Sequence, residues 1–97
     1  MTKSINPNQP SDVIGEFEES GQGGVEEAVA RAREAFLEWS EQPAANRGAV
    51  LAQMADETEE RAEELAQLVV REVGKPIGEA RAELSTAIAL LHDMRMA

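Results

Sequence analysis

The stretch VLAQMADETEERAEELAQLVVREV, Val50–Val73, decides the fold class of this chain. Its apolar residues recur at steps of three and four, which places them on one face of an α-helix. That face consists of Val50, Leu51, Met54, Ala55, Thr58, Ala62, Leu65, Ala66, Val69 and Val73. We therefore predict a helical region over 43–73. Like charges four residues apart, such as Glu60 and Glu64, weaken it and allow a bend near 60.

The signals around this region predict one helix before it and one after it. Gly74 and Pro76 form the usual end of a helix, a left-handed glycine followed by a proline that cannot continue it. The same periodicity predicts helices over about 25–41 and 77–95. The preceding face contains Val25, Ala28, Val29, Ala32, Phe36 and Trp39, and the following face contains Ile77, Ala80, Leu84, Ala87, Ile88, Leu91 and Met94.

Residues 1–24 are rich in Pro, Asn, Ser and Gly, which disfavours regular helix and predicts an extended or loop segment. The partial alternation of apolar residues over 12–18 is compatible with a short strand. A single strand leaves its edges unpaired, and the rest of the sequence offers no obvious partner strand.

The fold class is therefore mainly α: an extended N-terminal segment over 1–24, then three amphipathic helices over 25–97. Helices of this kind pack together as a bundle, although some of their apolar surface should stay uncovered. The expected shared core is Phe36, Trp39, Leu51, Met54, Leu65, Val69, Leu84, Ile88 and Leu91.

The composition narrows the function classes. Nineteen acidic residues against nine basic ones give a net charge of −10, which disfavours nucleic acids and anionic membrane surfaces as partners. No apolar run approaches the roughly 18 residues that a membrane span needs, and residues 1–20 lack the apolar core of a signal peptide. These features predict a cytoplasmic protein. High ionic strength would screen the charge, which predicts adaptation to a salt-rich, halophilic cytoplasm.

Two glycine-containing motifs match known phosphate-binding motifs only in part. Gly21–Gly24 precedes a helix, but Glu26 stands where the dinucleotide fingerprint needs its third glycine, so a flexible turn is the better interpretation. Lys75 follows Gly74, but a P-loop also needs Ser or Thr after the lysine and a glycine in place of Val69. Helix termination accounts for this second motif.

No other residue is predicted to carry chemistry. The chain has no cysteine, which excludes thiol nucleophiles and thiolate metal sites. Glutamates spread along helix backs are typical of a solvated face. His92 is the only histidine and is interpreted as a surface residue, since no second His or Cys completes a metal site. We predict no catalytic, cofactor-binding or metal-ligating residue in this chain.

The order of segments resembles the start of the aldehyde dehydrogenase superfamily over roughly residues 5–91. No single matching segment is specific to this superfamily, but the ordered set of segments with these spacings is specific to it. The matching pieces are Ile5-Asn6-Pro7, Val13-Ile14-Gly15, residues 25–36 with Trp39, Pro43–Arg47, Leu51, Met54–Asp56, Arg61–Ala66, Glu72–Pro76 and Glu79–Glu83.

The resemblance implies that this chain is an N-terminal fragment of an α/β NAD(P)-binding domain. It implies a parent enzyme that oxidises an aldehyde to a carboxylic acid with NAD or NADP. In that family the nucleophilic Cys, general-base Glu, oxyanion-stabilising Asn and cofactor glycines belong to segments after position 97. The chain alone should therefore bind no cofactor and be inactive. The resemblance is lost over 92–97, which suggests a truncated or frameshifted gene, or an artificial chain boundary.

A second interpretation belongs to another class. The chain can be a small acidic helical interaction module that associates with itself or docks on a full-length aldehyde dehydrogenase through its apolar faces.

Overall fold

The structure, a computed structural model, describes residues 1–96, and it confirms the prediction of a mainly helical chain after an extended N-terminal segment. Its elements in chain order are β1 (Thr2–Ile5), β2 (Val13–Phe17), α1 (Gly21–Glu41), α2 (Ala44–Glu60), α3 (Ala62–Val73) and α4 (Ile77–Met94). Within the described residues no helix is both long and apolar enough to span a bilayer.

The N-terminal segment forms a hairpin, which corrects the expectation that the strand near 12–18 has no partner. β1 pairs with β2 antiparallel, with Thr2 opposite Phe17 and an irregularity after Ser4. The connecting loop is closed by a hydrogen bond of 3.0 Å from the Asn6 N–H to the Asp12 carbonyl. The short polar run TKSI lacks the alternation that marks a half-buried strand, so β1 could not be predicted from its own residues.

The region 43–73 is two helices rather than one. α2 ends at Glu60, and Arg61 leaves helical geometry with φ −104° and ψ 13°. Arg61 hydrogen bonds forward to Glu64, with 3.0 Å between Nη2 and Oε1. The concentration of carboxylates at this point disfavours a continuous helix because like charges lie within one turn of each other. Residues 1–96 therefore contain four helices where three were expected.

α2, α3 and α4 pack together around alanines rather than around large apolar side chains. Ala55, Ala66 and Ala80, one from each helix, are 0% exposed. Gly48 of α2 lies so close to α4 that a Cβ placed on it would be 2.5 Å from the Arg95 carbonyl oxygen. Small residues let the helix backbones approach closely. We call α2, α3 and α4 together the three-helix platform; its helices lie close together, but its core is small.

α1 lies outside the platform, which corrects the predicted core. It has no buried residue and no extensive packing with another element. Phe36 is 61% exposed and Trp39 43% exposed, and Met54 of α2 is also exposed. The other predicted core residues, Leu51, Leu65, Val69, Leu84, Ile88 and Leu91, are half-buried. Periodicity predicted the helices and a partly buried face on α2, α3 and α4, but it did not show that α1 would lack a neighbour.

The resulting shape is open. The radius of gyration is 17.2 Å and the extents are 47 × 37 × 16 Å. A compact chain of this length has a radius of gyration of about 12–13 Å. The projecting α1 and the thin platform account for the difference.

Candidate functional site

The segment Gly21–Gly24, predicted as a flexible turn, forms the first turn of α1. α1 begins at Gly21, whose φ of 62° suits glycine, and Ser20 makes no side-chain cap. The possible strand predicted over 12–18 is present as β2, which ends three residues before Ser20. Even so, the residues do not fit a dinucleotide. Glu18 and Glu19 lie between strand and helix, and their carboxylates would repel a pyrophosphate.

The Gly74-Lys75-Pro76 motif ends α3. Gly74 has the left-handed φ of 74°, and its N–H donates to the Val70 carbonyl at 2.9 Å. The Lys75 ammonium is engaged by the Glu83 carboxylate of α4. The lysine therefore fastens the turn to the next helix and does not face an anion-binding loop.

Polar contacts fix the hairpin to the end of α3. Arg71 donates two hydrogen bonds to the Asp12 carboxylate, at 3.0 Å from Nε and 2.7 Å from Nη2. Ser4 donates to Glu72 at 2.6 Å, and the Asn8 amide donates to the Gly74 carbonyl at 3.3 Å. The hydrogen bonds from Arg71, with a smaller contribution from Asn6, lower the pKa of Asp12 from 3.8 to about 2. We call the Arg71–Asp12 ion pair the ionic anchor of the hairpin.

A second guanidinium pair joins α3 to α4. Arg81 donates to both oxygens of Glu63, at 3.0 and 2.7 Å. These hydrogen bonds, together with one from Gln67, lower the pKa of Glu63 from 4.5 to about 2. A carboxylate with so low a pKa and a bound guanidinium is a poor general base, so its role is structural.

One group of side chains with metal-binding chemistry is brought together by the fold. Asp56 and Glu59 of α2 lie beside His92 of α4, with one ligand atom of each within 4.8 Å of the others. His92 is half-buried and both carboxylates are exposed. This group was not predicted from the sequence, because it contains no second His or Cys. The available signal was the spacing of Asp56 and Glu59, which puts both on one helix face.

An open groove lies where α1 meets α2. It has a volume of about 380 Å³ and is lined by Ala35, Glu38, Trp39, Gln42, Asn46 and Val50. A second shallow surface, lined by Val25, Glu26, Val29, Ala30 and Arg33, follows the start of α1. Neither groove contains a buried polar group, and no polar or charged side chain is buried anywhere in residues 1–96. These surfaces suit apolar contact with another part of a protein and not catalysis.

Comparison with known proteins gives a consistent result. The model of the aldehyde dehydrogenase family matches residues 1–96. The chain is similar to the α-ketoglutaric semialdehyde dehydrogenase of Bacillus subtilis, with 40% identity over 94% of this chain and 19% of that protein. It is also similar to the 1-pyrroline-5-carboxylate dehydrogenase 2 of the same organism, with 38% identity over 88% of this chain and 16% of that protein.

A third relative is the N-succinylglutamate 5-semialdehyde dehydrogenase of Novosphingobium aromaticivorans, 44% identical over 68% of this chain and 14% of that protein. No solved structure matches the chain. The chain thus spans about a fifth or less of the length of these curated relatives.

Proposed function

This chain belongs to the aldehyde dehydrogenase family, and on that premise we propose that it serves as a non-catalytic helical part of an NAD(P)-dependent enzyme that oxidises an aldehyde to a carboxylic acid. The match of the family over residues 1–96, within a fifth or less of each relative's length, carries the proposal. The chain itself has no cysteine, so it cannot supply the thiolate that covalent aldehyde oxidation in this family requires.

The uncovered face of α1 supports a scaffolding role. Val25, Val29 and Phe36 are all exposed along one side of this helix. In a larger enzyme, such a face would be covered by other elements of the same fold. Because burial of apolar area contributes roughly 25 cal/mol per Å², covering these side chains would stabilise the assembly.

A chimera tests this role directly. The segment of the Bacillus subtilis α-ketoglutaric semialdehyde dehydrogenase that aligns with this chain is replaced by residues 1–91. We expect the chimera to form NADH or NADPH from that enzyme's aldehyde, whereas the isolated 97-residue chain should form none. Phe36→Asp should impair the chimera, because the apolar face would then meet the rest of the enzyme with a charge. Activity of the isolated chain, or an inactive and unfolded chimera, would contradict the proposal.

We also propose that this chain by itself does not bind the nicotinamide cofactor, which calorimetry can test. The family's nicotinamide dinucleotide should bind weakly or not at all to this chain, because two carboxylates occupy the approach to the start of α1. Calorimetric titration with NAD and NADP should show no saturable binding in the micromolar range. The same titration on the active chimera supplies the positive control.

The second candidate function is that of a small acidic interaction module, and the exposed face of α1 is the observation that favours it. Such a module would dock on a homologous aldehyde dehydrogenase or on a second copy of itself. Sedimentation of the purified chain, alone and mixed with the full-length Bacillus subtilis relative, separates these outcomes. Binding that is lost in Phe36→Asp and retained in the matched control Glu34→Asp would support docking.

Adaptation to a salt-rich cytoplasm is proposed from charge. The excess of acidic residues is spread over the surface, and every ion pair within residues 1–96 is at least partly exposed. Exposed pairs add little stability, while the net charge of −10 opposes compaction. Circular dichroism melting across a KCl series should show higher helicity and a higher unfolding midpoint in molar salt. Equal stability in dilute buffer would refute the adaptation.

A further inference from the structure

Two carboxylates and the chain's only imidazole meet on the surface formed by α2 and α4. Asp56 and Glu59 are three residues apart, so the same face of α2 presents both. His92 reaches them from α4. The helix backbones hold this arrangement, because Ala55, next to Asp56, is completely buried and Gly48 contacts the end of α4. The three groups therefore do not depend on a flexible loop for their proximity.

The two carboxylates lack a cationic neighbour. Asp12 and Glu63 each hold a guanidinium, but neither Asp56 nor Glu59 forms an ion pair with any Lys, Arg or His within residues 1–96. The net charge of −10 adds a negative potential around them. A bound cation would offset this repulsion, which no ion pair within residues 1–96 does.

We infer that Asp56, Glu59 and His92 form a binding site for a divalent transition-metal ion of the Zn²⁺ type, which joins α2 to α4. The donor set selects the class of ion. Zn²⁺ accepts imidazole nitrogen together with carboxylate oxygen, whereas Ca²⁺ and Mg²⁺ prefer oxygen ligands alone. Three protein ligands leave one position of a tetrahedral site for water.

Only small side-chain movements are needed. Ligands bound tetrahedrally at about 2.1 Å lie about 3.4 Å from one another. The present separations of up to 4.8 Å must therefore contract by little more than an ångström. Both carboxylates are exposed and can change rotamer without disturbing the core.

The site differs from the proposed function of the chain, since it concerns neither the aldehyde nor the nicotinamide cofactor. Its effect is structural. An ion that binds the folded arrangement and not the unfolded chain raises the unfolding midpoint by mass action. It would add a link between α2 and α4, which approach each other closely at Gly48.

The test uses the full chain without a purification tag, because a polyhistidine tag would itself bind the probe. Zn²⁺ alone is titrated by calorimetry, with Mg²⁺ at matched ionic strength as the comparison ion. Proton NMR of the imidazole supplies a site-specific readout, since His92 is the only histidine and its ring signals cannot be confused with others. We expect one saturable Zn²⁺ per chain, a shift of the His92 ring signals and a higher unfolding midpoint, with Mg²⁺ causing none of these.

Substitutions distinguish the site from general attraction to an acidic surface. Asp56→Asn, Glu59→Gln and His92→Gln should each weaken Zn²⁺ binding about tenfold or more, since even indirect changes around metal ligands cost that much. Glu57→Gln is the matched control, because it removes the same charge from the same helix outside the cluster. Circular dichroism without metal checks that every variant keeps its helices.

Three results would overturn the inference. They are the absence of saturable Zn²⁺ binding, binding that His92→Gln leaves unchanged, and equal weakening in Glu57→Gln and Asp56→Asn. The last two results would show that the acidic surface attracts the ion without these ligands.

Discussion

α1 and α4 are similar in sequence pattern and opposite in environment. Their lengths are 21 and 18 residues, and each carries an apolar face at helical spacing. α4 packs against both α2 and α3 and buries Ala80 completely. α1 buries nothing and leaves Phe36 61% exposed. An amphipathic pattern therefore shows that a helix has a face to bury, but a partner must be present before that face contributes to stability.

The difference also concerns polar contacts. One guanidinium pair, Arg81 with Glu63, joins α4 to α3, and the hairpin is attached through Arg71 and Asp12. α1 has no ion pair in the part of the chain that the structure describes. Its only side-chain hydrogen bonds are local, such as Gln22 to Glu26. Under the proposed function, this helix would contact the rest of the enzyme.

The largest difference between the platform (α2, α3 and α4) and α1 is expected when a charged side chain is placed in each of them. Ala66→Asp puts a carboxylate into the interior of the platform, where Ala66 is 0% exposed and no charged side chain within residues 1–96 is buried. An uncompensated buried charge should cost about 3 kcal/mol or more of unfolding free energy. Ala32→Asp adds the same charge to exposed α1 and should change it by no more than about 0.5 kcal/mol. Urea unfolding followed by circular dichroism compares the two, and equal losses would remove the distinction.

Adding one methyl group to each region should give effects of opposite sign. Gly48→Ala forces a Cβ to within 2.5 Å of the Arg95 carbonyl oxygen, so the helices must separate. We expect a net loss of about 1–2 kcal/mol after the gain in helix propensity is included. Gly23→Ala meets no atom within 4 Å and should raise stability by up to about 1 kcal/mol. Thermal melting of both variants gives the signs, and a stabilising Gly48→Ala would show that α2 and α4 are less closely packed.

The anchor of the hairpin should respond to acid. The pKa of Asp12 is lowered in the folded chain, so its contribution to stability is present above the ordinary value of 3.8 and is lost as the pH falls through about 2. A carboxyl titration by NMR should place the Asp12 midpoint near 2. Arg71→Ala should return it toward 3.8, because the two donated hydrogen bonds are then gone.

Arg81→Ala is the control for that titration. It should raise the pKa of Glu63 from about 2 and leave the Asp12 midpoint unchanged. A midpoint of 3.8 for Asp12 in the unaltered chain would mean that the hairpin is not attached to α3 in solution.

The smallest effect is expected from removing the more exposed of the two aromatic side chains of α1. Phe36→Ala should change the unfolding free energy of the isolated chain by no more than about 0.5 kcal/mol, because the ring is mostly in solvent. A phenylalanine in a packed core would cost about 3–5 kcal/mol. Chemical denaturation of the Phe36→Ala variant and of the unaltered chain measures the difference in their unfolding free energies. A loss in the upper range would show that α1 is covered in solution by another chain or by the platform.

Much of the fold was predictable because it depends on neighbours in sequence. The apolar spacing over 50–73 and the left-handed Gly74 before Pro76 predicted helices and their end. The division at Arg61 was foreseen only as a bend, since the repulsion of nearby carboxylates weakens a helix without specifying where it stops. The strand β1 was missed, because the polar run TKSI shows its role only when β2 lies beside it.

The candidate site was not predictable in the same way. Asp56 and Glu59 share a helix face by spacing alone, but their approach to His92 requires α2 and α4 to pack together. Likewise, nothing in the sequence of Asp12 indicates that Arg71 would bind it from 59 residues away. Contacts of this kind depend on which elements meet, and local patterns do not contain that information.

By itself, the sequence determined the helical character of residues after the N-terminal segment, the strongly acidic surface, the absence of a thiol nucleophile and the resemblance to aldehyde dehydrogenases. Only the tertiary structure decided that the hairpin closes on itself, that Ala55, Ala66 and Ala80 form the buried contacts, and that α1 remains uncovered. The physical reason is the range of the interactions. Helix propensity, capping and charge act within a few residues, whereas burial depends on segments that are distant in sequence and on whether a partner surface is present at all.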